Sequence, residues 1–364
     1  KAGLDFYDNI VNCCLENGIE PFITLYHWDL PQALEDNGGW LNRQTAYIFA
    51  DYAEFICEHF SDRVVNIATI NEPQIISGLG YMNGLHAPGK KLDCISVLSV
   101  IHHLALAHGL AVTKMRAVAK QPIKTGFSST GDLCFPASEC DEDIDAAKAE
   151  SFKIVTGNMT FNHTIFCDMT CLGRYPDIAE TGLHLEKGLE KIGHYKELPF
   201  VKDGDSELMN QPIDFLGINV YNGHEVSVTG HIKKKPGSPR TALGWPVTPG
   251  VMNYGIRYMY ERYNLPIYIF EDGLACNDII SLDGKVHDSN RIDFLTRYLT
   301  DLEKAYKAGV PILGYFHWSF TDNFEWHSGY DPRFGLIYVD YETQQRIPKD
   351  SAYWYSDLIK KSCN

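Results

Sequence analysis

The hydrophobic positions along the chain alternate between two periods. Leu4, Tyr7, Val11, Cys14 and Leu15 recur at helical spacing, and Gly18 is placed to end that helix. A continuous apolar run, PFITLYHW, follows at 21–28. The same succession repeats down the chain. Helical patterns near 44–60, 95–119, 141–166, 249–263 and 290–308 each precede an apolar run, at 64–73, 122–130, 213–221, 265–273 and 310–320. Six short apolar strands, each preceded by a helix, predict a parallel sheet covered on both faces. Long connections follow the strands near 74–94, 130–140, 222–248 and 321–349.

Two architectures fit that alternation. A doubly wound dinucleotide-binding sheet calls for GxGxxG after a strand, and the chain has none. Instead, polar and aromatic residues gather where strands stop: His27 and Trp28, Asn71 and Glu72, Asn219 and Tyr221, Glu271, and His317 and Trp318. Side chains contributed from the ends of several strands are the mark of a (β/α)8 barrel. We therefore expect an α/β TIM barrel with about six of its eight βα units, forming one incomplete catalytic domain over 1–364.

Composition narrows the partners. Lys and Arg number 32 against 47 Asp and Glu among 364 residues, a net charge of −15. Binding to nucleic acid or an anionic membrane needs clustered Lys and Arg. Lys233, Lys234 and Lys235 form only a short run in a Gly/Pro-rich stretch, so neither partner is expected. No apolar run is expected to reach the roughly 18 residues of a membrane helix. The ten cysteines show no CxxC pair and no zinc-finger spacing, so free thiols in a reducing compartment are expected. The Asn158 and Asn162 sequons add little, since such triplets are frequent. The first residues already lie at a helix entrance without Met, which reads as the interior of a longer protein.

Two carboxylates stand out, Glu72 in TINEP and Glu271 in IFEDG. A single Glu at a strand end is most often a solvated rim residue. Two of them, flanked by Asn, Asp and aromatic residues in a barrel pattern, point to glycoside hydrolysis. There one carboxylic acid protonates the leaving oxygen, while the other attacks the anomeric carbon or activates water. That chemistry needs no cofactor and no metal. Trp28, Trp245, Trp318, Trp326 and Phe334 supply rings for sugar C–H faces, although core packing is the alternative for each.

The segments TLYHWDLPQAL (24–34), GGWLNR (38–43), TINEP (69–73), HAPG (86–89), DFLGINVY (214–221), FEDG (270–273) and WSFTDNFEW…RFGLIYVDY (318–341) occur in this order. By them the chain resembles the glycoside hydrolase family 1 β-glycosidases, the β-glucosidase family, over essentially its whole length. The resemblance implies retaining hydrolysis of a β-glycoside or oligosaccharide, with Glu72 as acid/base and Glu271 as nucleophile, some 5–5.5 Å apart. It further implies that Asn71 bonds the sugar 2-hydroxyl, and that Tyr221 donates to Glu271. His27, Trp28, Asn219 and Trp318 would line the glycone site, Trp245 would stack on the aglycone, and Glu325 and Trp326 would hold the outer hydroxyls. An acid at Glu325 implies a sugar that is not 6-phosphorylated.

Two departures from the family pattern matter. The nucleophile motif is usually Thr-Glu-Asn-Gly; here it reads Phe270-Glu271-Asp272-Gly273, and an Asp272 turned toward the nucleophile would disfavour its anion. The family's first two βα units, with a sugar-gripping Gln and an Arg beside the nucleophile, are not identifiable here. A complementing N-terminal segment or a homo-oligomer is therefore an expected partner. A non-catalytic sugar-binding remnant is the competing reading.

Overall fold

The computed structural model describes residues 1–362, apart from 156 and 180. The chain forms two compact units, residues 1–131 with 153–217, and residues 132–152 with 218–364.

In the first unit, α1 (Ala2–Glu16) leads to β1 (Phe22–Tyr26), α2 (Gln44–Phe60) to β2 (Asn66–Asn71), and α3 (Cys94–Val118) to β3 (Lys124–Ser129). β1 pairs in parallel with β2, and β2 with β3. β2, the middle strand of the three, buries all six residues, whereas Thr24 of β1 is exposed. Covered faces explain why β2 reads as an unbroken apolar run. α2 packs along α3. α3 begins where the Asp93 carboxylate accepts from the Ser96 N–H at 3.0 Å, satisfying one of the orphan donors of its first turn. The 25 residues of α3 are long and apolar enough to cross a membrane, which corrects the expectation that no such run exists. Most of its apolar stretch is buried in the protein, with His102, His103 and His108 among the buried residues, so it is a core helix. α1 buries only Val11, and Phe6, Tyr7 and Ile10 on it are exposed.

The chain passes between the units within β4 (Leu216–Asn219). In the second unit, α4 (Asp141–Ser151) opens with Asp141, Glu142 and Asp143, acids that complement the positive end of the helix dipole. α5 (Gly250–Tyr263) leads to β5 (Ile267–Asp272), α6 (Ser289–Lys307) to β6 (Ile312–His317), and α7 (Asp350–Ser362) follows. α5 ends on Asn264 in the left-handed region, a residue that tolerates this geometry. β5 and β6 are parallel. Leu313 and Phe316 of β6 are exposed.

The helical pattern expected over 141–166 is interrupted. α4 stops at Ser151 and a separate helix runs Thr164–Cys171. The stretch between carries Gly157 at φ +79 and several Asn and Thr, which favour turns over helix interior. Among the described residues every cysteine is free; Cys363 lies outside them.

A buried ionic cluster organises the second unit. Arg291 of α6 binds Asp278 at 2.7 Å and also Asp288. Lys349 binds Asp278 at 2.6 Å and Asp322 at 2.8 Å, and Arg333 binds Asp322 at 2.6 Å. Three cations thus meet three carboxylates. Asp322 also accepts from the N–H of Gly335 and of Val339, which pins the loop that follows β6.

Candidate active site

The first unit carries Glu72 one residue beyond β2. The β2–β3 register slips between Ala68 and Asn71, and such an irregularity re-aims the side chains that follow it. Glu72 takes φ +46, in the left-handed region that an L side chain rarely adopts, with Pro73 behind it. Strain of this kind, of order 1–3 kcal/mol, persists where surroundings over-determine it. Here the Glu72 N–H donates to Ser128 O at 2.9 Å, and Gln74 donates to Ser129 Oγ at 2.9 Å. The side chain of Glu72 is buried, as is Asn71.

The Asn71 amide meets His27 Nε2 at 3.2 Å, and Trp28 Nε1 donates to Asn71 O at 2.9 Å. Burial lowers His27 to about 4, so the ring is neutral and can accept from Asn71 Nδ2. Trp28 also takes a positive φ, +83, and its ring stands 5.4 Å from that of His86. His27, Trp28 and Asn71, expected together, are therefore brought together. His86 was not among the expected site residues, although the HAPG segment contains it.

The second unit carries Glu271 in β5. The Tyr221 hydroxyl donates to Glu271 Oε2 at 2.6 Å, and Val220 N–H donates to Glu271 O at 2.9 Å. Tyr221 is held in turn: its carbonyl accepts from Tyr298 OH at 3.1 Å, and that hydroxyl accepts from Thr248 N–H at 2.8 Å. Tyr221, Trp245 and Phe334 form a ring cluster with centroids 5.4–6.1 Å apart. Phe334 is buried in this cluster and backs the other two rings. Tyr298 escaped the sequence reading because a Tyr in an amphipathic helix carries no signal of what its hydroxyl reaches.

After β6, Trp318 N–H donates to Asp272 O at 2.9 Å, and the Trp318 side chain hydrogen-bonds Glu325. Burial raises Glu325 above the usual carboxylate range, and the Trp318 bond partly offsets this. Trp326, half-buried, adopts φ +47 on a short turn of 3-10 helix, 326–328. Asn219 is buried at the end of β4. Asp272 has different partners from Glu271: it is fully buried and meets Tyr315.

A buried carboxyl that follows the Asn71–His27 pair at one strand end, and a carboxyl under a phenol donor at another, are each groups that carbohydrate-bond hydrolysis uses. The chain belongs to glycosyl hydrolase family 1, whose family model matches residues 1–363. It is accordingly a retaining β-glycoside hydrolase with that family's TIM-barrel fold. It is 41% identical over 369 residues to β-glucosidase A of Thermotoga maritima, covering 100% of this chain and 78% of that protein. It is 39% identical over 386 residues to a bifunctional β-D-glucosidase/β-D-fucosidase of Bifidobacterium breve, covering 99% and 79%. Among solved structures, the T. maritima β-glucosidase in complex with glucoimidazole matches with a TM-score of 0.85 at 40% identity, covering 99% of this chain and 78% of that one.

Proposed function

We propose that the chain removes terminal glucose from unphosphorylated β-glucosides, with Glu271 as nucleophile and Glu72 as acid/base, and that residues 1–364 form one incomplete catalytic domain. The observation that carries this is the 2.6 Å bond from Tyr221 to Glu271. A phenol donor favours a charged carboxylate, the form that attacks the anomeric carbon and expels the aglycone oxygen as a glycosyl-enzyme ester forms. In that first step Glu72, as the acid, protonates the leaving oxygen. In the second step the Glu72 carboxylate takes a proton from water, which releases the sugar with its original configuration. Asn71 bonds the 2-hydroxyl, and His27, Trp28, Asn219 and Trp318 line the glycone. Glu325 and Trp326 take the outer hydroxyls, while Trp245, backed by Phe334, stacks on the aglycone.

Relatives named β-glucosidases support glucose as the sugar. The acid at Glu325 supports a neutral 6-hydroxyl, because a phosphate dianion would meet like charge. Proton NMR of an aryl β-glucoside digest tests the reading: β-glucose appears first, whereas α-glucose first, or a preference for the 6-phospho-glucoside, overturns it.

We propose also that a further polypeptide segment, rather than a second copy, covers the exposed apolar residues of α1 and β6. Phe6, Tyr7, Ile10, Leu313 and Phe316 support this, since open strand edges and apolar faces invite a partner. The measurement is turnover of purified 1–364, which is poor alone and rises when the covering segment is supplied. Full turnover by the isolated chain, or by its homodimer, removes the proposal.

A further inference from the structure

Asp272 stands where the family motif has Asn, directly after the proposed nucleophile. It is 0% exposed. Its Oδ2 lies 2.8 Å from Tyr315 OH, its Oδ1 is buried without a well-aligned hydrogen bond among the described residues, and the Gly273 N–H gives the carboxyl partial support. In register it stands opposite His317 of β6, and its carbonyl accepts from Trp318 N–H. The titratable groups facing it are Tyr315 and His317 from β6, Tyr298 from α6 and Tyr355 from α7. The three tyrosines are all raised by burial, and His317 is lowered to about 3, so none supplies a positive charge. The cations of this unit's core, Arg291, Lys349 and Arg333, are committed to Asp278, Asp288 and Asp322.

A carboxylate in such a place would be a buried anion with one hydroxyl and one backbone N–H for company, and burial outweighs both in favour of the acid form. A neutral carboxylic acid resembles an Asn side chain, with an acceptor oxygen beside a donor on a planar group of the same size, though with one donor hydrogen where Asn has two. We infer that Asp272 is a positioning residue that works as a neutral acid, tying the end of β5 to β6 through Tyr315 while placing no second negative charge beside Glu271. The inference rests on the reading of Glu271 as nucleophile. It accounts for an acid beside the attacking carboxylate, where an ionised one would weaken the nucleophile.

Infrared difference spectroscopy of the wild type against Asp272→Asn tests the charge state without needing activity. A protonated carboxyl C=O band at neutral pH, absent from the variant, is expected; its absence from the wild type overturns the inference. Thermal unfolding gives a second readout. An acid kept neutral in the native state ionises on unfolding, so its folded form loses stability as pH rises above about 4. The melting point of Asp272→Asn should therefore gain on the wild type between about pH 4 and 7; a widening deficit would contradict the inference. For the positioning role, Asp272→Leu should lower kcat more than KM, and Asp272→Asn should restore kcat at least tenfold above Asp272→Leu. The acid limb of the wild-type pH profile should stay within about 0.2 unit in Asp272→Asn, and a fall of half a unit or more would show an ionised Asp272. Trapping with a 2-deoxy-2-fluoro glucoside, followed by peptide mapping, separates the two readings. A label away from Glu271 removes the nucleophile assignment, while the infrared band still decides the charge of Asp272.

Discussion

Glu72 leaves β2 on a left-handed backbone and is only 6% exposed, whereas Glu271 lies within β5, half-buried, under a hydroxyl donor. The first is set by backbone: a register slip, a strained φ and a proline aim it. The second is set by side chains, a relay from Thr248 N–H through Tyr298 to Tyr221. Under the proposed roles, the hydroxyl donor prepares Glu271 to begin charged, while Glu72 is placed by its backbone. The polar neighbours differ in kind as well. Just before Glu72 the Asn71 amide meets the His27 imidazole; beside Glu271 the Tyr221 phenol belongs to a ring cluster.

The sharpest way to break this contrast is to remove each carboxylate. Glu271→Gln should abolish turnover on every substrate, by on the order of 10⁴-fold or more in kcat, since no covalent intermediate can form. Glu72→Gln should be selective. Unactivated alkyl glucosides should lose roughly 10²–10⁴-fold, while a dinitrophenyl glucoside, whose leaving group needs no proton, should keep most of its first step. Equal losses on both substrates would show that Glu72 is not the acid.

Smaller changes sharpen the comparison. Tyr221→Phe deletes a hydrogen bond to a charged group, worth about 1.5–3 kcal/mol, so kcat/KM should fall about 10–100-fold. The acid limb of the pH–rate profile should also move upward, because the nucleophile loses the donor that favours its anion. An unmoved limb would place the phenol's value in packing alone. The buried histidines give a subtler readout. His27 and His103 are lowered to about 4, and His108 and His317 to about 3, each chiefly by burial. Their unfolded forms take up a proton near pH 6.5 that the folded forms refuse. Their contribution to stability is therefore fully present above about 6.5 and is lost as pH drops through 6 and 5. His27→Asn should flatten part of that slope, read as melting temperature against pH.

Much of this was legible in the sequence. All six expected strands form within the runs assigned to them, because buried parallel strands are apolar throughout and flanked by helices. The strand-end polar residues were legible because several such pairs, Asn-Glu and His-Trp among them, close apolar runs in one chain, although each alone has a packing or rim alternative. What stayed hidden depends on three-dimensional neighbours. The break at Ser151 competes with a helix pattern that continues past it on the page. The pattern near 95–119 predicts the helix at its full length but not its apolarity, because three histidines punctuate it; burial accommodates them as neutral rings. Tyr298, Thr248 and the Asp322–Lys349 pair are ordinary residues in ordinary patterns, and only their contacts give them a place in the site.

The buried ionic cluster of the second unit also constrains how this sequence can drift. Asp278, Asp288, Asp322, Arg291 and Lys349 are at most 4% exposed as side chains, and Arg333 is 13% exposed. Replacing any one leaves the buried cluster with an unbalanced charge, at a cost of up to about 3–5 kcal/mol, a large share of the net stability of a typical domain. Replacing a cation and its carboxylate together by apolar residues of similar size can be close to neutral. Substitutions here are therefore tolerated as compensated pairs and rejected singly. In a collection of descendants these positions would vary in concert or hardly at all, and the loop bearing Glu325 and Trp326 would inherit that reluctance to change.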